Sequence, residues 1–218
     1  MTNDIEKNVE AGGVPRAVAH RPTRIGNPGT LGLFSFASTT FILSLYNVRA
    51  RGVATPNVIV GNAAGCGGLA QLLAGMWEFP RGNTFGATAF SSYGAFWIAY
   101  AIILIPGSGA LEAYTDPRER ENALGMFLVT WSFVTFFFCF ASLRKSIGFI
   151  ALFGLLSTTL AVLAAGAFTG SVNCTKGGGG VGIATALVAF YIGLSELLAA
   201  EEKSVVRFPI GVFTKRVD

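Results

Sequence analysis

Polar side chains recur at helical spacing inside two apolar stretches of this 218-residue chain, residues 57–79 and 84–105. In the first stretch Gln71, Gly75 and Glu78 lie at i, i+4 and i+7, so a helix places them on one face. The second stretch carries a small and polar stripe at the same kind of spacing: Thr84, Thr88, Ser91 and Ala95. Such faces are typical either of a polar path through a membrane protein or of a close contact between helices.

A third such face occurs on residues 30–48, where Phe36, Thr40, Leu43 and Asn47 lie at i, i+4, i+7 and i+11. Neutral hydrogen-bonding groups can pass a small polar or weakly charged solute without trapping it, although a plain seam between helices tolerates the same residues. If the faces border a path, the residues predicted to line it are Thr40, Asn47, Gln71, Thr84 and Thr88.

Helix packing is the competing explanation for part of this pattern. Gly61, Gly68 and Gly75 repeat every seven residues, and glycines at such spacing let helices approach closely. Glu78 has its own alternative role, as a cap or as an ion-pair partner of Arg81 three residues later. Packing does not explain Gln71, because a buried amide must find a hydrogen-bond partner in protein or water.

The residue types and their spacing do not indicate an enzyme active site. The single histidine, His20, lies in a polar N-terminal stretch without a nucleophile or a metal partner nearby. The three cysteines, Cys66, Cys139 and Cys174, have neither a paired metal-site spacing nor a disulfide pattern. We therefore expect no enzyme activity, no cofactor and no metal.

The composition indicates an all-α integral membrane protein, since 52% of the residues are hydrophobic and only 13% are charged. Each apolar segment is near the length that crosses about 30 Å of hydrocarbon. The predicted spans are residues 30–48, 57–79, 84–105, 122–142, 146–168 and 179–200. The 16 basic residues lie at segment ends rather than on one surface, which argues against a nucleic-acid partner.

These spans form one predicted membrane domain, residues 27–200, between polar tails at residues 1–26 and 201–218. The first tail lacks the apolar core of a signal peptide. Eleven Lys and Arg residues fall on the side of the N-terminus and five on the other, so both termini are predicted to be cytoplasmic. This orientation places the sequon at Asn173 outside, where its use for glycosylation is left open.

Three runs of residues form a specific pattern: residues 27–33 (NPGTLGL), 68–78 (GLAQLLAGMWE) and 82–94. Together they resemble the acetate uptake transporter family, which includes the bacterial succinate–acetate permeases, and the similarity is closest to fungal acetate and ammonia-export proteins. The motif positions are Asn27, Pro28, Leu31, Gly32, Leu33, Glu78 and Asn83. Gly29 and Thr30 replace the usual Ala-Pro, which removes one fixed φ angle and restores one backbone donor.

The resemblance implies a homohexameric ring in the plasma membrane, with six helices and a separate pathway for acetate and related small monocarboxylates in each protomer. By motif match, a hydrophobic constriction would comprise Phe36, Tyr93 and Leu156. Family members are described both as proton-coupled transporters and as anion channels, so coupling to protons and acceptance of succinate stay open. The alternatives are a non-conducting sensor or regulator of small acids with the same fold, and a purely structural membrane organiser.

Overall fold

The computed structural model describes residues 25–201 and 204–213, and this part of the chain is nearly all helical. Six of its helices are long and apolar enough to cross a membrane, which confirms the predicted fold class. They are α1 (Pro28–Asn47), α2 (Asn57–Glu78), α3 (Thr84–Leu104), α4 (Pro117–Ser142), α5 (Ile147–Thr169) and α6 (Val172–Ala200). His20 and most of the predicted N-terminal tail lie outside the described residues.

Short polar residues begin five of these helices by capping their free backbone N–H groups. The side chains of Asn27 and Asn83 accept hydrogen bonds from the amides of α1 and α3, and those of Asp116, Ser146 and Ser171 do the same for α4, α5 and α6. Proline follows the cap in α1 and α4, where its fixed φ suits the first helical position. Local sequence therefore determines where these helices start.

Helix α6 begins inside a stretch that the sequence predicted as a loop, residues 169–178. Gly170 ends α5 with a φ of +67°, and Ser171 caps α6 directly afterwards. The glycines that follow pack α6 against its neighbours, since a Cβ on Gly178 would lie 2.7 Å from the Leu163 side chain. The glycine-rich composition predicts a loop here because the tertiary contacts of these glycines are not visible in the sequence.

Helix α2 contains a π-helical stretch, Ala63–Ala70, in its glycine-rich middle. At this level Asn62 donates to Thr39 Oγ1 over 2.7 Å, and a Cβ on Gly67 would collide with the Thr39 side chain. Because π turns follow a different period, the seven-residue glycine repeat does not keep one face. Gly61 faces open space, whereas Gly75 packs directly against Ser91 of α3.

Helix α1 lies inside the bundle and contacts α2, α3 and α6, while α5 packs between α4 and α6. Helix α4 is the most exposed of the six and carries large apolar side chains on its outer face: Met126, Phe133, Phe136, Phe137 and Phe140. An exposed apolar face of this kind suits contact with lipid or with another membrane protein. The buried core lies instead around α1, α3 and α5.

Candidate functional site

Two cavities open between the helices. The wide cavity has a volume of about 360 Å³ and lies mainly between α1, α3, α4 and α5. The narrow cavity has a volume of about 90 Å³ and is lined by α1, α2, α3, α5 and one residue of α6. Phe36, Tyr93 and Leu156 are the residues that line both cavities. The two spaces therefore meet at these three side chains.

This junction is apolar and closely packed. Phe36, Tyr93 and Leu156 come from three different helices, and each is at most 5% exposed. The rings of Phe36 and Tyr93 meet edge to face with their centroids 5.6 Å apart. The Tyr93 ring also packs on Phe138 and Phe153, at centroid distances of 5.9 and 6.3 Å. The neighbouring rings thus restrict movement of the Tyr93 ring.

The hydroxyl of Tyr93 is used for packing rather than for lining the junction. Its oxygen lies 2.7 Å from Thr135 Oγ1, and the Thr135 hydroxyl itself donates to the Trp131 carbonyl. Tyr93 must therefore be the donor to Thr135, because a hydroxyl has a single proton. This bond ties α3 to α4 and leaves the ring as the part of Tyr93 between the cavities.

The wide cavity is bordered by aromatic rings and neutral polar groups, and Arg49 and Glu121 are the charged residues of its lining. All four residues of the predicted α1 face line it: Phe36, Thr40, Leu43 and Asn47. Trp97 lines it as well, four residues after Tyr93, and helical spacing from that position could have pointed to this tryptophan. Among the described residues, Thr40 Oγ1 and Trp97 Nε1 are buried without a hydrogen-bond partner.

The narrow cavity ends in a network of charged and amide side chains. Glu78 is 1% exposed, lies 3.3 Å from the Arg81 guanidinium and accepts a 3.0 Å hydrogen bond from Asn83 Nδ2. Arg81 also donates to Asn27 Oδ1 over 2.7 Å. Asn27, Glu78 and Asn83, three positions of the family motif, thus lie in one network of hydrogen bonds and an ion pair. Glu78 both pairs with Arg81 and lines the cavity.

Two charged residues complete this end, and neither is among the site residues predicted from the sequence. Glu196 of α6 accepts a 3.2 Å hydrogen bond from Asn27 Nδ2, and Lys145 lies 4.5 Å from the centre of the Phe85 ring. Both line the narrow cavity. The sequence feature that could have pointed to Glu196 as a site residue is its position as an acidic residue near the end of an apolar segment.

Gln71 also lines the narrow cavity, and it is 1% exposed. Its Oε1 has no hydrogen-bond partner among the described residues. The same part of the chain contains no group of three or more His, Cys, Asp or Glu side chains that could hold a metal ion.

Thr84 and Thr88 differ from the expectation, since they line neither cavity. Both are exposed on the outer surface of α3, and the Thr88 hydroxyl donates to the Thr84 carbonyl over 2.8 Å. A threonine that bonds to its own helix in this way needs no polar surroundings. The helical period identified the stripe correctly but could not show which way it faces.

The remaining motif residues shape the first turns of α1. Leu33 is buried and lines the narrow cavity, whereas Leu31 is half-exposed. A Cβ on Gly32 would lie 2.7 Å from the Phe90 ring, so this position requires a glycine for close packing. Pro28 is the first residue of the helix. The motif residues therefore begin α1, pack it against α3 and line the narrow cavity.

Comparison with known proteins identifies the family. The model of the GPR1/FUN34/yaaH family matches residues 11–215. The chain belongs to this family. It is 41% identical over 190 residues to ammonia transport outward protein 2 of Saccharomyces cerevisiae, with 87% of this chain and 67% of that protein covered. It is also 41% identical over 201 residues to acetate permease A of Emericella nidulans, again with 87% and 67% covered.

A solved structure of the bacterial acetate channel SatP has the same fold, with a TM-score of 0.77 and 34% sequence identity. The match covers 86% of this chain and the whole of the SatP chain. The resemblance inferred from the motifs is thereby confirmed, and the chain is a multi-pass membrane protein. It spans about two thirds of the length of the two fungal relatives.

Proposed function

We propose that this chain is a plasma-membrane permease for acetate and related small monocarboxylates, and that each protomer contains its own pathway. The observation that carries the proposal is the pair of cavities that meet at Phe36, Tyr93 and Leu156. The acetate permease and the SatP channel, which share the family or the fold, support acetate as the substrate.

The three shared residues act as the constriction of this pathway. Their side chains are apolar toward the junction, so a hydrated ion would have to lose water there without receiving hydrogen bonds in return. A small carboxylate passes more readily, because it is compact and one end of it is a methyl group. The packing of the rings around Tyr93 keeps the opening narrow.

Neutral groups accompany the solute on both sides of this constriction. Thr40 and Asn47 border the wide cavity and Gln71 borders the narrow one. Hydrogen bonds to neutral partners are weaker than those to a fixed charge, which allows the solute to bind and then leave. Lys145 attracts the anion near the end of the narrow cavity.

Orientation and assembly follow from the charge distribution and the family. With the N-terminus in the cytoplasm, the network of Asn27, Glu78 and Arg81 lies at the cytoplasmic end, and the wide cavity opens outward. The protomers form a homohexameric ring, which buries part of the apolar outer surface. Electron microscopy of the purified protein in nanodiscs would show the number of subunits.

Uptake of labelled acetate into liposomes tests the transport function. We expect saturable uptake above that of empty liposomes, and strong inhibition by Leu156→Trp, which fills the constriction. Leu187→Trp is the matched control, since Leu187 is 56% exposed on the outer surface and should leave uptake unchanged. Acetate binding without any uptake would contradict the permease and indicate a sensor of small acids.

A further inference from the structure

The segment after α6 packs back onto the helical bundle. Residues 206–213, which we call the strap, lie against the last turns of α6 and the start of α5. Val212 forms an antiparallel bridge with Ser146, the residue that caps α5. The strap lines neither cavity, but both helices that it contacts contribute residues to the narrow one.

One set of strap contacts holds the first turn of α5. The first N–H groups of a helix have no acceptor within the helix and need one from elsewhere. The amide of Ile147, the first residue of α5, donates to the Gly211 carbonyl over 3.0 Å. The amide of Gly148 donates to the Ile210 carbonyl over the same distance. The strap therefore supplies two of the N-terminal caps of α5.

Gly211 is suited to this contact in two ways. Its φ of +65° lies in the left-handed region, which glycine adopts more readily than other residues. A Cβ at this position would also lie 3.0 Å from the Ile147 side chain. The close approach of the strap to α5 thus depends on a glycine here.

A second set of contacts ties the strap to α6. Ser195 Oγ donates to the Phe208 carbonyl over 2.6 Å, and the Tyr191 hydroxyl donates to the Pro209 carbonyl over 2.8 Å. The rings of Tyr191 and Phe208 also pack together, with their centroids 5.7 Å apart. Because neighbouring strap residues bond to α5 and to α6, the strap connects the end of one helix to the start of the other.

The strap also contacts the backbone of a charged residue of the narrow cavity. The Phe213 amide donates to the Lys145 carbonyl over 3.1 Å. The Lys145 side chain lines this cavity, and its ammonium lies 4.5 Å from the centre of the Phe85 ring. Within the described part of the chain, Lys145 forms no salt bridge that would fix this charge. The position of the ammonium therefore depends on the backbone that the strap holds.

We propose that the strap is a positioning element of the pathway, which holds Lys145 where its ammonium meets the anion in the narrow cavity. This inference rests on the proposed transport of acetate. Ser195 and Tyr191 are positioning residues, because they line neither cavity and act through the strap. When the strap is released, Lys145 moves and the anion binds less tightly. The constriction at Leu156 lies about two and a half turns farther along α5 and keeps its shape.

Acetate uptake into proteoliposomes of the full chain tests this role. Ser195→Ala removes the shortest bond between the strap and α6, and we expect the KM for acetate to rise about fivefold while the maximal rate stays within twofold. Ser195→Thr keeps the hydroxyl and should restore the natural KM. Ser204→Ala is the matched control and should not change it, because the Ser204 hydroxyl donates to the Val206 carbonyl and links the strap to no helix.

A second substitution at Lys145 separates positioning from a general loss of structure. If the strap acts through Lys145, Ser195→Ala should change the KM by less than about 1.5-fold in a protein that already carries Lys145→Gln. An unchanged KM in Ser195→Ala, or the same rise with and without Lys145→Gln, would overturn the inference while leaving acetate transport intact. Absence of uptake by the natural sequence would overturn the proposed function, and this role of the strap with it.

Hydrogen exchange of the full chain in lipid tests the strap without measuring transport. The amides of Ile147 and Gly148 exchange when their bonds to the strap open. Tyr191→Phe keeps the ring beside Phe208 and removes only the hydroxyl, so we expect these amides to exchange about threefold faster in a folded protein. Ser204→Ala should leave their exchange unchanged. Equal protection in Tyr191→Phe and the natural sequence would show that α6 does not hold the strap, which would overturn the inference.

Discussion

The two cavities differ in how they use the same local pattern, an acid and an arginine three residues apart. At the narrow cavity, Glu78 is almost fully buried and Arg81 reaches it at 3.3 Å within a network that also includes Asn27 and Asn83. Beside the wide cavity, Arg118 and Glu121 are exposed and 4.0 Å apart. Burial, rather than sequence spacing, decides which pair is structurally important.

Removing the arginine from each pair tests this contrast and should have the largest effect on stability. Arg81→Gln leaves a buried carboxylate without its cation, and we expect it to lower the free energy of unfolding by about 2–3 kcal/mol. Arg118→Gln should cost less than about 0.5 kcal/mol, because water already screens that pair. Thermal unfolding in the same detergent measures both, and equal losses would contradict the comparison.

Shortening a side chain at the junction should change substrate size selection. Leu156→Ala widens the point where both cavities meet, and we expect lactate uptake to rise about tenfold while acetate uptake changes by less than threefold. Leu152→Ala removes the same atoms one turn away, where the side chain lines the narrow cavity alone. Competition between labelled acetate and lactate measures the effect. An equal response of both variants would show that the junction does not select size.

Removing the Tyr93 hydroxyl should affect packing and leave transport intact. Tyr93→Phe deletes the donor to Thr135, and we expect a loss of about 1 kcal/mol in the free energy of unfolding. Acetate uptake should stay within twofold, since the ring remains between the cavities. Tyr93→Ala removes the ring and should alter uptake strongly. If Tyr93→Phe also abolished uptake in a stably folded protein, the hydroxyl would have to take part in the pathway.

The smallest effect is expected outside both cavities. Thr88→Val removes an exposed hydroxyl that bonds to its own helix, so acetate uptake and stability should change little. Thr40→Val makes the same change beside the wide cavity and should lower uptake severalfold. Uptake assays on equal amounts of reconstituted protein compare the two. If Thr88→Val lowered acetate uptake more than Thr40→Val, the result would support the prediction that the polar stripe of α3 lines the pathway.

The chain's hydrophobic segments and capping residues determine six membrane helices, because segment length, helical period and caps such as Asn27 and Ser146 act over a few residues. Motif resemblance pointed to the same family that the comparisons identified. These properties need no knowledge of which helix packs against which.

Only the tertiary structure decided which faces turn inward and which distant residues meet. The helical spacing of the polar residues in α3 is the same whether Thr84 and Thr88 face a cavity or the outside. The packing of the surrounding helices determines which of the two occurs. Glu196 meets Asn27 across 169 residues of sequence, and Tyr93 meets Thr135 across 42. Local spacing contains no record of such contacts, because they arise when helices formed independently pack together.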